Sequence, residues 1–197
     1  MTKRLVDIIG ALIGLVFFSA VMLAIAVAIV LTMGRPILFR QIRPGKGGNP
    51  FQMVKFRTMK TALNSEGNPL PDAVRITRLG HFLRSTSLDE LPEFWNVLRG
   101  EMSLVGPRPL LMEYLPLYSP TQARRNDIRP GITGWAQVNG RNSLSWQDKF
   151  ALDVWYVDHQ TLSLDLRILI LTLRKVIARE GIAGKGQATA EKFAGNG

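Results

Sequence analysis

The sequence predicts an α+β fold, mainly α: a membrane-inserted N-terminal helix, then a helical domain with one small β-hairpin and interfacial amphipathic helices. Three observations carry that prediction. Residues 8–34, IIGALIGLVFFSAVMLAIAVAIVLTMG, hold no charge. Gly- and Pro-rich turns bracket short apolar pieces between Gly34 and Met59. From Trp146 to Glu180 the apolar residues are dense and follow a helical pattern. The change of composition at Gly34 divides the chain into a membrane segment, residues 1–34, and a domain, residues 35–197.

Spanning a bilayer takes about 20 consecutive apolar residues, and the N-terminal run is longer. A signal peptide is the rival, with Lys3 and Arg4 as its basic end and Ala24-Ile25-Ala26 as its cleavage site. A signal core, however, runs only about 7–15 residues. Lys3 and Arg4 precede the run, and Arg35, Arg40, Arg43 and Lys46 follow it. Positive charge prefers the cytoplasmic side. A helix that bends inside one leaflet and returns keeps both clusters there; a straight span with the heavier cluster inside is the alternative.

Beyond Gly34, the segments Gly34–Pro50 and Phe51–Met59 read as strand, turn and strand. Asn64–Asp72 is a polar loop, a short helix runs from Ile76 to the Arg84 region, and another begins near Asp89. Ser119, Pro120 and Gln122 spell a capping box with proline at the first helical position. Arg129–Trp146 reads as loop and turn, with Asn139-Gly140 as a tight-hairpin signal. Leu164–Glu180 closes the pattern as a core helix or as one lying on a membrane surface, and the Gly-rich end reads as a loose tail.

Lys and Arg total 25 against 15 acids, giving a net charge of +10 and a pI of about 10.5. That balance points to nucleic acid, an acidic membrane surface or a phosphorylated small molecule. With no cysteine and two histidines, thiolate chemistry is excluded and a His-rich metal site is disfavoured. No Walker-type loop is present.

Against this basic background, the stretch SLDELPEFWNVLRGEMSLVGPRP places Asp89 and Glu90 side by side. Ser87 followed by Glu90 fits a capping box, and acids in a first turn suit the helix dipole. Cations keep them company. Lys55 and Arg57 alternate along a strand and so share a face; Arg84 lies just upstream, Arg108 between two prolines, and Arg141 after the Asn-Gly pair. Asp153 and Asp165 are further carboxylates on the late helices. Carboxylates among phosphate-binding cations suggest Mg²⁺, which takes one or two carboxylates plus phosphate oxygens. Asp89 or Glu90 is also the best available nucleophile toward phosphorus.

KFRTM, SLDELPEFWNVLRGEMSLVGPRP, RPGITGWAQVNGRN and LDVWYV resemble, in order, the motifs of the bacterial sugar transferases. Short length and one N-terminal membrane segment are similar to the small monotopic phosphoglycosyl transferases of the PglC type. The resemblance implies transfer of a sugar-1-phosphate from a UDP-sugar, tilted toward an N-acetylated one, to undecaprenyl phosphate at the cytoplasmic face of the bacterial inner membrane. UMP is released, Mg²⁺ assists, and no nucleic acid takes part. It implies that Asp89 attacks the β-phosphate to give a covalent phosphosugar and lies close to Mg²⁺, while Glu90 positions the metal or handles a proton. Lys55, Arg57, Arg84, Arg108 and Arg141 match motif cations for phosphate or nucleotide contacts, and Asp153 falls in the late motif. The family breaks its membrane helix at a Ser-Pro pair; here the pair is Ser19-Ala20, and alanine lacks proline's breaking effect. Serine still bends a helix by bonding back to a carbonyl. A non-catalytic membrane-anchored binder of anionic lipid or nucleic acid is the alternative, and a lipid-phosphate phosphatase is a third reading.

Overall fold

The structure, a computed structural model, describes residues 2–140, 143–178 and 192–195. The apolar run forms two helices, α1 (Thr2–Phe17) and α2 (Ser19–Met33), bent by 60° at Phe18. No single helix among the described residues is long and apolar enough to cross a membrane; the bent pair passes that test only together. The break falls where Ser19 Oγ donates to the Val16 carbonyl at 2.8 Å, so serine back-bonding accompanies the bend without a proline. Val16, Phe17, Leu23 and Leu31 are 68–80% exposed, a surface that water does not favour.

The start of α1 is fastened to the rest of the chain by polar side chains. Arg4 donates to the Val97 and Leu98 carbonyls at 2.6 and 2.9 Å. Lys3 pairs with Asp165 at 2.6 Å. Buried Asp7 accepts from Ser103 Oγ at 2.9 Å and from the Leu104 amide at 3.0 Å. Glycine lets the helices approach: a Cβ at Gly14 would lie 2.9 Å from the Phe94 ring. The far end of α2 is fastened as well, because Arg57 donates to the carbonyls of Met33, Gly34 and Arg35.

Strands β1 (Leu38–Pro44) and β2 (Pro50–Phe56) pair antiparallel, with Leu38 opposite Phe56, forming the expected hairpin. Its connection turns through Gly47 and Gly48, both at positive φ. Helical elements follow: α3 (Asp72–Arg75), α4 (Arg78–Ser85), a 3₁₀ turn Leu88–Glu90 and α5 (Glu93–Arg99). Thr77 caps α4 through the Gly80 amide. The Ser119 capping box forms in full at the start of α6 (Pro120–Ala123). The last two long helices are α8 (Trp146–Asp158) and α9 (Leu162–Ala178), with α7 (Trp135–Val138) before them. The architecture is therefore α+β and mainly helical.

Three expectations are corrected. Asn139-Gly140 does not turn a hairpin; it follows α7, and the preceding residues Gly131–Thr133 form β4, parallel to β3 (Ser103–Val105). Gly106 and Gly131 permit this pairing, since a Cβ on Gly131 would lie 2.1 Å from the Gly106 nitrogen. Ser87 makes no side-chain cap bond and adopts a left-handed φ of 56°; the Glu90 amide bonds the Ser87 carbonyl at 3.2 Å, and the Glu90 carboxylate pairs with Lys55 and Arg108. The described part of the tail, 192–195, is not loose: Phe193 is buried against Tyr114, Trp146 and Phe150.

The main core joins Phe51, Met53, Val97, Met102, Val105, Tyr156 and Ile168 with Ala11 of α1. Helix α9 packs one side into the core and leaves apolar residues on the other. Ile168 is fully buried, while Leu162, Leu166, Ile170 and Leu173 form an exposed apolar stripe at helical spacing.

Candidate active site

Strand β2 delivers Lys55 with Phe51 and Met53 on its inward face, following the period of two. Buried Asn96 of α5 locks that strand in place: it accepts from the Val54 amide at 3.1 Å and donates to the Gln52 carbonyl at 2.8 Å. This seam carries Lys55 to Glu90 Oε1 at 2.7 Å and to Glu93 Oε1 at 3.0 Å. Arg108 reaches the same Glu90 oxygen at 2.7 Å. One carboxylate thus gathers two cations from elements far apart in sequence.

Arg108 is placed by its backbone. Gly106, Gly131 and Gly134 bring two loops together so closely that a Cβ at Gly134 would meet the Gly106 oxygen at 2.2 Å. Arg125, fully buried, donates to the Arg108 carbonyl at 2.7 Å and pairs with Asp153 at 2.7 Å. Tyr118 and Phe150 lie about its guanidinium. Asp153 is therefore joined to Arg108 through Arg125.

The carboxyl groups are differentiated. Burial alone would raise Glu90, yet Arg108 and Lys55 outweigh it and hold the group well below the usual carboxylate range. Burial, with Glu90 beside it, pushes Asp89 upward against the pull of Lys55, Arg108 and Arg84. Burial likewise pushes Glu93 up to about 7, with Lys55 opposing. For Lys55, burial disfavours the ammonium, but Glu90 and Glu93 prevail and its pKa rises. The dyad follows the left-handed Ser87, a conformation that non-glycine residues adopt at a cost. Asp89 is 9% exposed, and its carboxylate receives no hydrogen bond among the described residues.

Of the residues picked from sequence, Glu90, Lys55 and Arg108 form one clamp, with Asp89 adjoining it. Arg84 stands near Asp89 and donates to Thr58 Oγ1 at 3.1 Å. Arg57 is not in the clamp. It lies past the end of β2, and its guanidinium closes the end of α2. Asp153 is likewise set back, buried with Arg125. Arg141 lies outside the described residues. Sequence reasoning passed over Glu93, Asn96 and Arg125, although Glu93 and Asn96 follow Glu90 at three-residue steps, the spacing of one helical face. A cavity of about 120 Å³ adjoins the clamp, walled by Leu91, Phe94, Ile132 and Val138, with Glu90 and Arg108 at its edge.

Asp89 also suits a divalent cation. Its oxygens are open, and Mg²⁺ takes one or two protein carboxylates with substrate phosphates completing the shell. Among the described residues no group of three or more His, Asp or Glu forms a cage of its own, so any such ion would share its shell with the substrate.

A carboxylate beside a cation clamp at the end of an apolar helix pair agrees with the chain's similarities. The profile of the bacterial sugar transferases matches residues 1–179. The chain is 54% identical over 195 residues to the uncharacterized sugar transferase EpsL of Bacillus subtilis, covering 99% of this chain and 96% of that protein. It is 40% identical over 183 residues to a UDP-glucose:undecaprenyl-phosphate glucose-1-phosphate transferase of Klebsiella pneumoniae, covering 88% of this chain and 39% of that one. With a UDP-N-acetylgalactosamine-undecaprenyl-phosphate N-acetylgalactosaminephosphotransferase of Aeromonas hydrophila it shares 39% identity, over 91% of this chain and 44% of the relative. The chain spans nearly the whole of the first relative and less than half of the other two. It belongs to the bacterial sugar transferase family.

Proposed function

We propose that this chain transfers a sugar-1-phosphate from a UDP-sugar to undecaprenyl phosphate, releasing UMP, at the cytoplasmic face of the bacterial inner membrane. One observation carries the reading: the open Asp89 carboxylate stands beside a Glu90 carboxylate clamped by Lys55 and Arg108. The names of the Klebsiella and Aeromonas relatives supply the class of donor and acceptor. Those names include both a plain and an N-acetylated sugar, so the expected N-acetylated donor is one arm of the test.

In this mechanism an Asp89 carboxylate oxygen attacks the β-phosphorus of the donor. The bond from that phosphorus to the bridging oxygen breaks, and UMP leaves with its electron pair. The sugar phosphate remains on Asp89 as an acyl phosphate. An oxygen of undecaprenyl phosphate then attacks the same phosphorus, and the Asp89 carboxylate departs unchanged. No proton is consumed or released overall. Asp89's raised pKa makes its anion a better nucleophile, provided it is ionised. Glu90, held anionic, is a poor proton acceptor, so its part is to fix Lys55 and Arg108 where charge builds on the phosphoryl group. Arg84 and Arg141 complete the phosphate contacts; Arg57 and Asp153 act in support. Asp89 would hold Mg²⁺ together with the donor's phosphates, and the ion would neutralise their charge when bound.

The bent helix pair serves this reading as a re-entrant anchor. Lys3 and Arg4 at one end, and the Gly34 carbonyl at the other, all contact the same domain. A pair that enters and leaves through one leaflet keeps both ends there, and the exposed stripe of α9 rests on the interface. The test is UMP release in detergent with undecaprenyl phosphate and Mg²⁺. The donors are UDP-glucose, UDP-galactose and N-acetylated UDP-sugars, each run with wild type and Asp89→Asn. Release by wild type and none by the variant is expected. No UMP from any donor, in folded protein, contradicts the proposal.

A further inference from the structure

Arg43 lies on β1, across the hairpin from Phe51; Gln41 faces Met53, and Phe39 faces Lys55. Facing residues of an antiparallel pair project to one side, so Arg43 and Lys55 share the side turned toward Glu93 and Glu90. Arg43 donates from Nη2 to Gln41 Oε1 at 2.7 Å, but its Nε is buried with no partner. No carboxylate stands within ion-pair distance of it among the described residues, in contrast to Lys55 and Arg108.

Its neighbours make matters worse for the charge. Burial first, and then the charge of Arg108, pull Arg43 down to about 10, while Tyr114, Glu93 and Glu113 compensate only in part. Two guanidinium groups that repel, one with a bare buried N–H, form an arrangement that an anion between them relieves. Arg108 commits one nitrogen to Glu90 and keeps 41% of its side chain exposed, leaving donors for a ligand.

We infer that Arg43 and Arg108 together hold one phosphate group of the substrates, with Arg43 as a cation of the phosphate site outside the motifs quoted above. This rests on the proposed function, which brings two phosphate sources to the site: the diphosphate of the UDP-sugar and the monophosphate of the lipid acceptor. Both present oxygens that suit a guanidinium fork.

The test uses the full chain in detergent with Arg43→Gln and Arg43→Lys. Thermal stability is read without ligand, Kd is read for UDP and for uridine, and KM for undecaprenyl phosphate. Arg43→Gln is expected to keep wild-type stability, because it removes a buried charge that its neighbours offset only in part. UDP binding weakened about tenfold, with uridine binding unchanged, assigns the donor's phosphate. A similar rise in the acceptor KM with UDP binding unchanged assigns the lipid's phosphate. Arg43→Lys is expected to restore part of either loss. Wild-type UDP binding and acceptor KM in Arg43→Gln overturn the inference alone, as does a fall of several degrees without ligand, which marks a structural arginine. A wild-type chain that neither binds UDP nor releases UMP overturns the proposed function and this inference together.

Discussion

Asp153→Asn leaves the Arg125 guanidinium buried without its anion. The two side chains are 1% and 5% exposed and meet at 2.7 Å, so neither charge has water to fall back on. Removing one member of such a pair costs about 3–5 kcal/mol, because the other charge stays buried. Arg125 keeps its bond to the Arg108 carbonyl and its contacts with Tyr118 and Phe150. Asp153 Oδ1 had no partner to lose. Both facts place the cost near the lower end, about 3 kcal/mol, or about 6–12 °C in Tm for a chain of this size. Thermal unfolding in detergent reads this directly. The double variant Arg125→Met/Asp153→Leu removes both charges and is expected to regain most of the stability. Its kcat should be low, since Arg125 then no longer holds the Arg108 carbonyl. An Asp153→Asn protein within 2 °C of wild type would refute the energetic argument. Full activity in the double variant would refute the link to Arg108.

Further tests address other parts of the fold. Glu93 titrates at about 7 in the folded protein against an ordinary 4.5. The folded state therefore holds this proton more tightly, and stability is expected to fall as pH rises from about 4.5 to about 7. In Glu93→Gln, Tm measured from pH 5 to 8 should lose that slope. Gly14→Ala drives a methyl into the Phe94 ring and should cost about 1–3 kcal/mol, read as a lowered Tm. Phe193→Ala empties a place in the Tyr114–Trp146–Phe150 cluster and should cost about 3 kcal/mol, with the same readout. An unchanged Tm would mean that the tail does not dock in solution.

How much of this was legible in sequence depended on the range of the interaction. The hairpin announced itself through alternation and glycines at 47 and 48, and the Ser119 capping box through three residues within the four positions 119–122. Those are local signals. The parallel pairing of Ser103 with Gly131 has no local signal, since its cause is a close approach of two glycines 25 positions apart, Gly106 and Gly131. Asn139-Gly140 misled for the same reason, because the preceding strand paired elsewhere. At the site, the dyad and the cations Lys55 and Arg108 were chosen by residue type and motif, and the structure brings them together. Arg57 was misread because alternation was extended one residue past the strand, onto a residue whose partners are carbonyls some 20 positions back. Asp7 and Arg125 went unseen because a buried ionic contact leaves no mark until its partner is placed.

The central claim, that Asp89 itself carries the sugar phosphate, is tested most directly without the acceptor. Purified protein in detergent is incubated with Mg²⁺ and the UDP-sugar it uses, and released UMP and intact protein mass are measured together. The account predicts one UMP per active chain and a mass increase equal to the sugar phosphate. Both should be absent in Asp89→Asn and reversed on adding undecaprenyl phosphate. UMP release that requires the acceptor from the start, with no change in protein mass, would contradict it.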